Sequence, residues 1–96
     1  MSGTKQSLSA ASGLLPPGVT EVGIIPDDQG WHAYCEYGAA GGFLDSGQTK
    51  FIHADRGTGS AIAELAAWMH AQWRFDEERA REVAWRLLEA AADRVR

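Results

Sequence analysis

The hydrophobic period of this chain changes once, and that change bounds the folds open to it. Up to about Ala54 the apolar segments are short and β-rich, and the clearest of them alternates with period two. From Ser60 onward apolar residues recur with a period near 3.6. Strands first and helices afterwards describe an α+β domain with its two element types segregated along the chain.

Within the first part, Val19 to Ile25 is rich in β-branched residues and lies between Pro16-Pro17 and Pro26. Pro26-Asp27-Asp28-Gln29-Gly30 then has the composition of a hairpin turn. The next strand, Trp31 to Tyr37, places Trp31, Ala33, Cys35 and Tyr37 on one face and His32, Tyr34 and Glu36 on the other. The first set is the expected core face. After Gly38-Ala39-Ala40-Gly41-Gly42, Phe43-Leu44 and Thr49 to Ala54 flank the turn residues Asp45-Ser46-Gly47-Gln48. The connections are too short for parallel crossovers. The expectation is a three-stranded antiparallel meander (about 19–25, 31–37 and 49–54), four-stranded if Phe43-Leu44 counts.

Two apolar stripes follow. Ile62, Leu65, Ala66, Met69 and Trp73 form one; Ala80, Val83, Ala84, Leu87, Leu88, Ala91 and Val95 form the other. A single helix from 61 to 95 would be about 52 Å long, more than such a sheet can cover. Asp76-Glu77-Glu78 also reads as an N-cap followed by a first turn of acids. Two helices are therefore expected, about 60–74 and 77–95, closing as an α-hairpin, with Thr58 or Ser60 capping the first; one continuous helix is the alternative, since no Gly or Pro enforces the break. Residues 1–18, rich in Ser, Gly and Ala, are expected to form a flexible arm ahead of one domain spanning 19–96. Its single Lys and lack of a continuous apolar stretch fit neither a signal peptide nor a membrane anchor. Cytoplasm is the expected compartment, consistent with one unpaired cysteine. Seven Arg against two Lys, with sixteen Ala, fit a GC-rich bacterial or phage genome.

The sequence argues against most chemistry. His32 and Cys35 are the nearest pair of soft ligands, and three residues apart on a strand they point to opposite faces, so no metal site or cofactor is expected. Cys35 with His53 is the one conceivable catalytic pair. However, a thiol on the face of Trp31 and Tyr37 has its pKa raised and is silenced, so no enzyme is expected. Direct reading of duplex DNA is disfavoured by a net charge of −4 and by a second helix that opens on three acids.

Two candidate sites remain. Arg56-Gly57-Thr58-Gly59-Ser60 precedes a helix N-terminus and could take a phosphate or a small anionic ligand, without matching a P-loop. The stronger reading rests on tryptophan, of which there are four in 96 residues. Trp85 falls roughly 125° from the middle of the second stripe, among Glu78, Arg81 and Glu89, and Trp68 roughly 110° off the first. Aromatic and Arg anchors on a polar face are what interfaces favour. The expected function is a small regulator or inhibitor that docks on a protein partner, or on its own copy, through Trp85, Arg81, Trp68, Glu78 and Glu89.

Overall fold

The computed structural model describes residues 5–38, 44–46 and 49–93. It is an antiparallel sheet followed by two C-terminal helices. The strands are β1 (Gln6–Ser9), β2 (Val19–Asp27), β3 (Gly30–Gly38), β4 (Leu44–Ser46) and β5 (Lys50–His53). The helices are α1 (Thr58–Trp73) and α2 (Glu77–Asp93). β3 pairs along one edge with β2, whose other neighbour is β1; along its second edge it pairs with β5 at its start and β4 at its end.

The β2–β3 hairpin closes where sequence composition places it, with Asp27 opposite Gly30 and the Asp27 carboxylate accepting the Gln29 amide at 3.3 Å. Glycine is required at position 30 by a close approach: a Cβ there would lie 1.9 Å from the Ile52 carbonyl oxygen of β5. On β3, Ala33 and Cys35 face the core, Trp31 is half-buried on the same side, and His32 is exposed. Tyr37 shares their parity yet is 45% exposed; it lies near the end of the strand, in a depression it lines with Pro17 and with Gln72, Trp73 and Arg74 at the end of α1. Leu44 is in a strand, as counted, but the strand runs on through Asp45 and Ser46, which were expected in the turn. Residues 39–43, 47–48 and 94–96, which include most of the first glycine segment, Phe43 and Val95, lie outside the described residues.

Residues 1–18 were expected to form a flexible arm. Instead Gln6–Ser9 is an edge strand registered on β2, with Leu8 opposite Val22. Ala10–Ser12 makes one short 3₁₀ turn, and Leu8, Leu14 and Leu15 pack against the core. The Arg79 guanidinium of α2 donates to the Gly13 carbonyl at 3.1 Å and ties the segment down. Local composition misses this strand because its stability comes from a partner about fifteen residues away and from three leucines that meet only in the fold.

Both helices lie on one face of the sheet. α2 packs on β1 and β2, α1 packs on β5, and the two pack on each other. Val22, Ile24, Cys35 and Ile52 from the sheet meet Leu65 and Met69 of α1 and Val83 and Leu88 of α2, all fully buried. α1 stops at Arg74, which takes the left-handed conformation (φ 62°) with its amide on the Met69 carbonyl. The carboxylate of Asp76 then accepts the Arg79 amide at 3.4 Å and starts α2, while Phe75, 1% exposed, plugs the corner. No glycine or proline enforces the break; an N-cap and a buried aromatic do. At the other end of α1 neither Thr58 nor Ser60 caps the helix: Gly57 occupies the cap position, and no side-chain hydrogen bond is made there.

Candidate functional site

The features singled out in the sequence fall in three separate places. Cys35 is fully buried on the helix side of the sheet, and burial pushes its thiol up to about 12. His53 is exposed on the opposite side, since its neighbour Ile52 points inward. A protonated thiol and an imidazole on opposite faces of a sheet cannot exchange a proton. The fold therefore does not bring that pair together.

The Arg56–Ser60 loop is exposed throughout. The nearest depression is lined by Asp28, Gln29, His53, Ala54 and Asp55. Its two carboxylates, Asp28 and Asp55, oppose an anion.

Trp68 was expected as a surface anchor on the outer face. It belongs to the core, 9% exposed and edge-on to Trp73 at 6.2 Å between centroids. The physical reason is that α1 is covered from two directions, by β5 and by α2, so its buried arc is wider than one apolar stripe.

The outward side of the helix pair presents a different surface. Trp85 is 47% exposed. Four residues to either side of it on α2 stand Arg81 and Glu89, both exposed, so the three line up along one side of the helix. Neither charged side chain makes a hydrogen bond or ion pair among the described residues, and no cation there lies over the indole. Glu78 is exposed one turn before Arg81. On the flank, Glu82 and Arg86 bind each other at 3.0 Å. Arg81 also borders a groove between the helices whose floor and walls are Ala63, Ala66, Ala67, His70 and Glu77. The His70 ring donates its Nδ1–H to the Phe75 carbonyl at 2.8 Å, which fixes that end of the groove. α1 carries a single charged side chain, Glu64, held by Lys50 at 3.3 Å. The part of α1 turned to solvent, including Ala63, Ala67 and Ala71, is uncharged.

A second cluster escaped the sequence reading beyond its being a wet face. On the outer side of the sheet, Tyr34 donates its hydroxyl to the Glu21 carboxylate, and Lys5 lies 5.7 Å over the Tyr34 ring. Burial, then the Glu21 bond, push the Tyr34 hydroxyl well above its ordinary range. His32 binds Asp27 at 3.1 Å. The Gln29 amide and that histidine hold the Asp27 carboxyl below its usual value. Phe51 sits edge-on between His32 and His53, at 4.9 and 4.7 Å. Parity along β2, β3 and β5 was the available signal, but it shows only which residues share a face, not which of them meet.

Compared with known protein families, curated proteins and solved structures, the chain matches none. Among the described residues no helix is long and apolar enough to cross a membrane.

Proposed function

We propose that this chain is a small non-enzymatic interaction module, a cytoplasmic regulator or inhibitor of bacterial or phage origin, that docks on protein through the outer face of its helical hairpin. The observation that carries the reading is the exposure of Trp85 on a well-formed helix. With 47% of its surface in water, the side chain leaves roughly 120 Å² of mostly apolar area to be covered, worth about 3 kcal/mol when a partner covers it. Arg81 and Glu89 beside it supply unsatisfied charge for register, and the exposed small side chains of Ala63 and Ala67 on α1 allow close approach. Trp68 plays no part in this surface.

The buried, protonated Cys35 supports a role without covalent chemistry. The test is capture from cells that express the protein natively, using wild type and Trp85→Ala, followed by titration of each purified captured protein. The reading expects a protein held by wild type and released by the variant while the variant unfolds at the same temperature. Equal binding by both would remove this face from consideration.

A further inference from the structure

The order of groups along α2 is self-complementary. Arg81, Trp85 and Glu89 are spaced by four residues each, so a cation, an aromatic ring and an anion stand one turn apart on one side of the helix. A two-fold axis passing beside Trp85 runs a second α2 antiparallel to the first. Residues equally far from the axis on opposite sides then meet. Trp85 faces its own copy, Arg81 faces Glu89 of the second copy, and Glu89 faces the second Arg81. The geometry points to a second copy of this chain as the occupant of the docking face, in a two-fold dimer centred on Trp85.

This inference rests on the docking reading above and commits it to one partner. Three observations select that partner. The same patch must serve both sides of a two-fold interface, and a sequence reading plus, apolar, minus about its centre does so where a patch of one sign would repel itself. Arg81 and Glu89 are free to cross the interface, having no partner within the described chain, whereas the neighbouring Glu82 and Arg86 are already paired with each other. The exposed ring lies at the middle of the patch with charges at its rim, the arrangement in which a buried aromatic counts most.

The experiment is the mass of the purified full chain in solution, by sedimentation equilibrium over a concentration series. It uses wild type, Trp85→Ala, Arg81→Glu, Glu89→Arg and the double reversal Arg81→Glu/Glu89→Arg. All three positions are exposed, and thermal unfolding of each variant confirms that it folds. A dimer is expected for wild type, weakened on the order of 30-fold by Trp85→Ala and about tenfold by either single reversal, which sets like charges opposite each other twice. The double reversal restores wild-type association, a rescue that a merely structural role does not produce. A chain that stays monomeric to millimolar concentration overturns the second-copy inference alone. A dimer indifferent to all four variants overturns this inference, because the copies then meet elsewhere; the docking reading falls with it when Trp85→Ala also leaves partner capture unchanged. Loss in the single reversals without rescue overturns the two-fold register.

Discussion

The molecule turns two faces to solvent, one from each layer, and they treat their polar and aromatic groups differently. On the sheet side the groups bind one another: Tyr34 with Glu21, Lys5 over Tyr34, His32 with Asp27, and Phe51 between two histidines. On the helix side Trp85, Arg81 and Glu89 stand next to each other and bind nothing among the described residues. Among the described residues Ile25, 44% exposed, and the Glu36 carboxylate, which makes no hydrogen bond or ion pair, depart from this pattern on the sheet. Both faces carry aromatic residues, so aromatic content does not separate them. The difference lies in whether the neighbours complete each other. A face that satisfies its own groups is a finished surface, whereas the open indole and two opposite charges are the feature on which the proposed docking rests.

The two faces can be told apart by experiment. The control comes first and has the largest effect. Phe75 fills the corner under both helices, so Phe75→Ala should cost about 3–5 kcal/mol in urea unfolding and disrupt the helical face as a unit. A loss below about 1 kcal/mol would mean the hairpin does not depend on that plug.

Alkali should then act on the sheet layer, which holds the two groups whose pKa values are raised, Cys35 and Tyr34. Raised folded-state values mean that the unfolded chain gives up its protons first. The associated stability is present below the ordinary cysteine value of 9.0 and is lost as pH climbs towards about 12. A urea series across that window should show the fall, and Cys35→Ala should flatten much of it.

Smaller again is Tyr34→Phe, which removes the hydroxyl bond to the Glu21 carboxylate and leaves it to Lys5 at 3.9 Å; it should cost about 1 kcal/mol while leaving association unchanged. Trp85→Ala reverses that result: unfolding free energy within about 0.5 kcal/mol of wild type, and association lost. If Trp85→Ala were instead the more destabilising of these two, the ring would be serving the fold and the contrast would fail.

Much of this contrast is legible in the amino-acid sequence. The change of period at Ser60 set the order of strands and helices, alternation sorted β3 into a buried and a wetter face, and helical geometry placed Trp85 outside. The break at Asp76 was favoured by helix length and capping chemistry together, against a continuous helix that no Gly or Pro excluded. What stayed hidden depends on contacts distant in sequence. β1 has one leucine of its own and becomes a strand only by pairing with β2. The burial of Trp68 follows from α1 having two neighbours, which a single helical projection cannot show. The separation of Cys35 from His53 needed the register of β5, since once Ile52 points inward His53 must point out.

The contrast can be measured on one sample by hydroxyl-radical footprinting of the chain, free and in its associated state, with Trp85 read against Phe51 and His32. Labelling of Trp85 should fall on association while Phe51 and His32 stay as reactive as in the free chain. Protection of the sheet-side aromatics with Trp85 unchanged would contradict it.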